Sequence, residues 1–397
     1  MKKTYLALAL ASLVAAGTAA AADVQIYGRV DAGLRYTSVK HGDDTLKLES
    51  GNRAHNRIGF NVTEDIGNGL KAKAYLENGF TLDDGNLDTA GQLFNRRSIL
   101  ALESKTWGEV GFGRMGTVHS TMAPYAIGMA KWDPFGTSYS QASIGSTFAN
   151  SSRVNNGITW MSPNFSGWKG GVTYSLGDAS DDTEAYTDRN HTLAAALSYQ
   201  GQNFFVSTAL ANITQSHVAS VKIGADKDSA KAKSVRQDIK DAQLYGIGGW
   251  VRVTPEARIW AAAQWQENFR TGGGISMANL GGSWFKSVED AEENAPALSE
   301  EGVSGYSLLL GTDYVTGQHK VILGAQYFDG EYAGESDLDF QRTVFAAAYE
   351  YKLAKTVWLY VAATHSMGHG NAKSLAKENG NYKGDASELM TGFNWNF

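Results

Sequence analysis

Outside two charge runs, Lys222 to Lys240 and Glu289 to Glu301, that read as solvated loops, several of the charged side chains sit at alternate positions. Arg29 and Asp31 are two apart, and Lys71, Lys73 and Glu77 share one parity with Tyr75 between them. On an extended chain, residues two apart project to the same side, so these groups would form rows of fixed charge. Such rows can filter solutes by size and sign. Nucleophilic or acid–base chemistry would instead need a Ser, a His and an acid brought together, and no motif here joins them. His365 and His369 stand four apart near a strand end, where that spacing brings no common metal within reach. Gly111-Phe112-Gly113-Arg114 has no helical pattern after it to offer amide groups to a phosphate. No catalytic residue, metal or cofactor is expected.

Rows of charge need strands to carry them. Period-two alternation runs from end to end. Ile26, Val30, Ala32, Leu34 and Tyr36 oppose Tyr27, Arg29, Asp31 and Arg35; Leu70, Ala72, Ala74 and Leu76 oppose Lys71, Lys73, Tyr75 and Glu77. The last segment sets Leu389, Thr391, Phe393, Trp395 and Phe397 against Met390, Gly392, Asn394 and Asn396. Turn chemistry divides the chain into sixteen strands near 24–38, 56–65, 69–82, 93–104, 108–115, 153–162, 167–177, 190–200, 203–214, 240–253, 256–269, 302–315, 318–330, 339–352, 355–368 and 385–397. The connections between them alternate short and long. The long ones span about 39–55, 83–92, 116–152, 178–189, 215–239, 270–301, 331–338 and 369–384.

Strict alternation of connection lengths puts every short turn at one end of the strands and every long loop at the other, the asymmetry of a membrane barrel. Hydrocarbon offers no hydrogen-bond partners, so such a sheet must close on itself. The fold class read from the sequence is therefore all-β, a 16-stranded antiparallel transmembrane β-barrel. Sixteen strands enclose water rather than a packed core. Trp160, Trp168, Trp250, Trp265, Trp358 and Trp395 are candidates for the aromatic girdles at headgroup level.

Composition agrees. Gly is abundant at 45, Pro scarce at 5, Cys absent and Trp present ten times, with a mean hydropathy of −0.30. A barrel whose alternate residues face water can be this polar. Met1-Lys2-Lys3, the apolar run from Leu6 to Ala16 and the small residues Ala20 and Ala22 read as a secretory signal peptide over 1–22, leaving 23–397 as the barrel domain. Without Lys2 and Lys3 the chain carries 33 basic against 41 acidic residues, which argues against a nucleic-acid partner.

Several strings resemble the Gram-negative general porin family, in its neisserial and betaproteobacterial branch. They are Val24-Gln25-Ile26-Tyr27-Gly28, Arg57-Ile58-Gly59-Phe60, Glu64-Asp65-Ile66-Gly67-Asn68-Gly69-Leu70-Lys71-Ala72, Leu93-Phe94-Asn95-Arg96, Gly111-Phe112-Gly113-Arg114, Asp133-Pro134-Phe135-Gly136, Arg153-Val154-Asn155-Asn156 and Trp160-Met161-Ser162-Pro163-Asn164-Phe165-Ser166-Gly167. Trp160 stands where that family usually carries Tyr. The resemblance implies a homotrimer in outer-membrane lipid and lipopolysaccharide, a terminal aromatic, Phe397, read by the barrel-assembly machinery, and a long third loop, here 116–152, folded into the pore.

The function expected is a water-filled channel for passive diffusion of small hydrophilic solutes and ions. Arg29, Arg57, Lys71 and Lys73 fall on polar faces, and Arg96, Arg114 and Arg153 match family positions of a cationic bank. Asp31, Glu77 and Asp133 oppose them, with Lys131 the only other full charge in the third loop. Cations outnumber acids, so a weak anion preference is expected. A substrate-specific channel would need an aromatic slide or basic ladder along the lumen, which Tyr27, Tyr75, Tyr125 and Tyr139 leave open. A barrel enzyme would need the convergent triad that is missing, and an adhesive barrel would not conduct.

Overall fold

In the computed structural model, residues 22–397 are described except 178–189, 216–217, 226–228, 237–238, 281–284, 296–297, 334 and 379–384. The proposed signal peptide, apart from Ala22, and the whole of the 178–189 loop lie outside the described residues. The sixteen staves are β1 (Asp23–Val39), β2 (Arg57–Gly67), β3 (Leu70–Gly79), β4 (Arg97–Ser104), β5 (Gly108–Gly116), β6 (Arg153–Met161), β7 (Trp168–Ser175), β8 (Thr192–Gln200), β9 (Phe204–Ile213), β10 (Ala242–Arg252), β11 (Ala257–Phe269), β12 (Val303–Thr316), β13 (His319–Tyr332), β14 (Glu335–Ala354), β15 (Val357–His369) and β16 (Ala386–Asn396). Each pairs antiparallel with its neighbours, and β16 returns to β1, with Asp31 opposite Asn394 and Val39 opposite Ala386. Reciprocal bonds between Gly28 and Phe397, 2.9 and 3.1 Å, finish the seam. Closure leaves the sheet no edge.

The alternation is realised as read. Leu100, Phe112, Leu310, Leu323 and Phe345 are exposed on the outer wall, while Asp31, Thr159, Thr173, Gln326 and Asn394 are buried behind it. Among the described residues no helix is long and apolar enough to cross a membrane; the strands do the spanning. Tyr306 and Tyr314 both face outward on β12. Eight residues of strand cover roughly 26 Å, or about 20 Å once tilted, close to the apolar band of a barrel. Trp160, Trp168, Trp265 and Trp395 stand on the outer wall as expected. Trp250 and Trp358 do not: Trp250 pairs with the buried Trp260, and Trp358 with the buried Asn394, so parity turns both toward the interior.

Two connections join the barrel wall where loops were expected. Within 39–55 a short strand, Thr45–Ser50, continues β2 along the outer half of β1, and residues 51–56 leave the wall between the two pieces. The loop expected at 331–338 is strand almost throughout, for β13 and β14 pair out to Tyr332 and Glu335. The lumen is also not uniformly wet. Met129, Trp132, Ile144 and Phe148 of the segment between β5 and β6 are buried against Ala209, Leu244, Trp260 and Leu309 of the wall. Gly246 and Gly248 of β10 leave room for the Trp132 ring, where a Cβ would come within 2.6 and 2.5 Å of it, and Trp132 Nε1 donates to Ser207 Oγ at 2.7 Å.

Candidate pore constriction

The β5–β6 segment fills the β9–β15 side, and its other face looks across a cavity of ≈ 650 Å³ at β1–β4 and β6. Wall strands supply that cavity with Arg29, Arg35, Arg57, Arg97 and Arg153, and the turn before β4 adds Arg96. Only two carboxylates, Glu49 and Glu77, join these six guanidinium groups. The loop contributes Thr121, Met122, Thr137, Ser138, Ser140 and Asn150, all uncharged.

Glu77 is the hub. Arg96 Nε lies 2.7 Å from its Oε1, Arg97 Nη2 3.1 Å from Oε2, and Arg57 Nη1 3.8 Å from Oε1; Tyr27 donates its hydroxyl to Oε2 at 2.8 Å. One buried carboxylate between three guanidinium groups offsets their mutual repulsion, and leaves a net excess of positive charge on the wall. Arg29 instead donates to Asn396 Oδ1 at 2.7 Å, and Arg35 to Asn52 Oδ1 at 3.0 Å. Asn396 orients Arg29 without cancelling its charge, whereas Arg35 also lies 3.7 Å from Glu49, the other cavity carboxylate. His55, on the 51–56 excursion, registers the field: burial, then Arg96, holds its imidazole below the ordinary histidine range.

The excursion also anchors the loop tip. Arg53 grips both carboxylate oxygens of Glu350 at 3.0 Å and lies 4.8 Å above the Trp358 ring. Tyr139 at the tip donates to the same Glu350 at 2.7 Å, and its amide to Asn52 O at 2.8 Å.

Of the residues singled out in the sequence, Arg29, Arg57, Glu77, Arg96 and Arg153 meet at this cavity. Six do not. Asp31 is sealed behind the wall, accepting from Tyr360 at 2.9 Å and from the Arg53 amide at 3.3 Å. Asp133 is buried inside the loop, where its carboxylate accepts the amides of Phe135, Thr137 and Ile144 at 2.8, 2.8 and 3.0 Å. Burial pushes its carboxyl up to about 6. It holds the turn together and presents no charge to the cavity. Lys131 is exposed and Lys71 half-buried, both away from the cavity lining. Lys73 lies four residues from Glu77 toward the short-turn end, paired with Glu103 and, at 3.0 Å, with Glu109 in a separate cavity beside Tyr125.

Arg114 faces the other way. It stands opposite Ser98, on the parity of the exposed Leu100 and Phe112, and donates to Asn95 O and Asn155 Oδ1. A register shift follows Gly113 in the pairing with β6, so a family position does not translate into a lumen position. Arg97, Arg53 and His55 escaped the sequence reading. Arg97 had a signal, because a strand starting there pairs it with Glu77.

A model of the Gram-negative porin family matches residues 7–371. The chain belongs to that family. An outer membrane porin protein of Bordetella pertussis is 26% identical over 404 residues, covering 95% of this chain and 98% of its own length. The major outer membrane protein P.IB of Neisseria gonorrhoeae is 32% identical over 217 residues, 53% of this chain and 56% of that protein. Outer membrane porin protein 32 of Delftia acidovorans is 34% identical over 186 residues, 44% and 50% of the two chains. Among solved structures, an anion-selective porin from Comamonas acidovorans superposes with a TM-score of 0.63 at 20% identity, covering 95% of this chain and all of that one. This porin is thus an outer-membrane barrel that acts as a passive diffusion channel rather than an enzyme, and its relatives lie in the neisserial and betaproteobacterial branch.

Proposed function

We propose that this porin passes small hydrophilic solutes and ions with a weak preference for anions, set where the arginine wall faces the β5–β6 loop. The observation that carries the reading is the imbalance of six guanidinium groups against two carboxylates, with only uncharged loop residues lining the cavity opposite. Fixed positive charge in a narrow, partly walled passage raises the local concentration of anions and lowers that of cations. The anion selectivity named for the Comamonas acidovorans porin is in keeping with it. Reversal potentials of the purified channel across a KCl gradient test it, and clear cation selectivity would overturn it.

The working unit proposed is a homotrimer in lipid and lipopolysaccharide, made by removal of residues 1–22 and assembled after the barrel-assembly machinery reads Phe397. Phe397 is exposed at the seam, 5.4 Å from the Trp395 ring, and so is available to be read. Conductance closing in three equal steps is the expected record, and loss of assembled barrel on deleting Phe397 is the expected outcome for the terminal signal.

A further inference from the structure

The β11–β12 connection, 270–302, sends a second piece of chain into the barrel. Thr271 pairs with Ser276 and Gly272 with Ile275 in a tight hairpin, whose Ile275, Met277 and Leu280 are buried against Phe328, Tyr332 and Phe340. These three aromatics are inner-face residues of the protruding parts of β13 and β14, and each is fully buried. The hairpin explains why those strands carry apolar residues where a water-facing wall would carry polar ones. Tyr332 donates its hydroxyl to Gly272 O at 2.6 Å.

The turn of this hairpin fits only without side chains. Gly273 and Gly274 have φ of +54° and +89°, in the left-handed region that glycine tolerates. A Cβ on Gly273 would come within 2.7 Å of the Phe328 ring, and one on Gly274 within 2.2 Å of Arg342 Nη1. Arg342, on β14, donates from Nη1 to Gly273 O at 2.8 Å and to Ser146 O at 3.3 Å, and from Nη2 to Gln141 Oε1 at 3.4 Å. Ser146 and Gln141 belong to the returning leg of the β5–β6 loop. One planar, charged donor fork therefore ties the inserted hairpin, the pore loop and the wall to one another.

We propose that the 271–280 hairpin is a strap that holds the pore loop down, with Arg342 the positioning residue between them. The returning leg is otherwise tied to the wall: Gln326 accepts from Thr147 at 2.7 Å and donates to Ala142 O at 2.6 Å, Ser307 donates to Thr147 O at 2.7 Å, and Gln264 accepts the Ala149 amide at 2.7 Å and donates to Ala149 O at 2.9 Å. Arg342 adds the contact that couples this leg to the hairpin above it. With the strap seated, the loop keeps one position and the open current is steady. With it loosened, the leg gains motion on the microsecond-to-millisecond scale that channel recordings read as noise and partial closures.

The test is single-channel recording of the full mature chain as wild type, R342Q, R342K and G274V, each first checked for a folded, heat-modifiable barrel on gels. The proposal presupposes conduction past the β5–β6 loop, which the wild-type record establishes separately. G274V leaves every charge in place, and R342K keeps the charge while losing the fork. The expected result is a severalfold rise in open-channel noise and closure frequency in all three variants, with the reversal potential of G274V and R342K unchanged. Wild-type noise in the folded variants overturns the proposal. So does a shifted reversal potential in R342Q with quiet G274V and R342K channels, since Arg342 would then act as a field charge. Should R342Q fail to fold, G274V and R342K still decide.

Discussion

Neutralising Arg29 or Arg153 should weaken anion preference without disturbing the wall. Both line the cavity, and among the described residues neither has a carboxylate within ion-pair distance, so each charge acts on the passing ion. At about 5 Å a unit charge is worth about 0.8 kcal/mol in bulk water and about 3 kcal/mol at an effective dielectric constant near 20. A wet lumen lies near the first figure, and a Debye length of about 10 Å at 0.1 M salt trims it only modestly. A working value of about 1 kcal/mol corresponds to a roughly fivefold fall in local anion occupancy per arginine removed. Arg29→Gln and Arg153→Gln should therefore each move the reversal potential toward the cation side, and the double variant further, with the shifts shrinking at high salt. Lys131→Gln, away from the cavity, should leave it unchanged. Unmoved potentials in both arginine variants, or an equal shift in Lys131→Gln, would refute the electrostatic account.

Glu77→Gln should act in the opposite sense on selectivity while lowering stability. It strands three guanidinium groups around a site only 1% exposed, a loss of about 3–5 kcal/mol if the wall cannot relax, readable as a lower unfolding temperature together with stronger anion preference. Gly248→Val should lift the foot of the pore loop, because the new side chain collides with Trp132 and with Ala262 Cβ at 2.8 Å; overpacking of about 1–3 kcal/mol should appear as noisier, altered conductance in a folded barrel. Acid should affect two loop groups differently. Asp133 has its carboxyl raised by burial to about 6, so the folded state binds that proton more tightly than the unfolded chain. Its contribution favours the fold below the ordinary aspartate range and is lost as pH rises through about 6, so acidification from pH 7 to 5 should not release the loop turn, and Asp133→Asn should leave selectivity unchanged. His55, held low by burial and Arg96, should stay neutral through the ordinary histidine range and add its charge only below it. Anion preference should then rise late in an acid titration, and that late rise should vanish in His55→Gln.

The polarity pattern reached the barrel directly because the membrane imposes it locally. Leu100, Phe112 and Leu310 face out and Asp31, Glu77 and Asn394 face in for no reason beyond their place in an alternating strand. Residue type without parity does not give a side chain's direction. Trp250 and Trp358 carry the girdle residue type on the inward parity. Arg114 carries the right charge on the outward one. Asp133 had no strand to give it a direction, and its carboxylate went to the amides of its own turn.

The sequence by itself determined a closed sixteen-strand barrel with loops sorted to one end, because each residue's choice between oil and water is settled by its immediate neighbours along the chain. Only the tertiary structure decided which charges meet. The gathering of Arg57, Arg96 and Arg97 on Glu77, the Arg53–Glu350 clamp and the hairpin under Arg342 join residues up to 297 positions apart. Such contacts depend on how long loops fold back into the lumen and pack there. Alternation sets which face a residue belongs to, and carries no record of what will come to lie against that face.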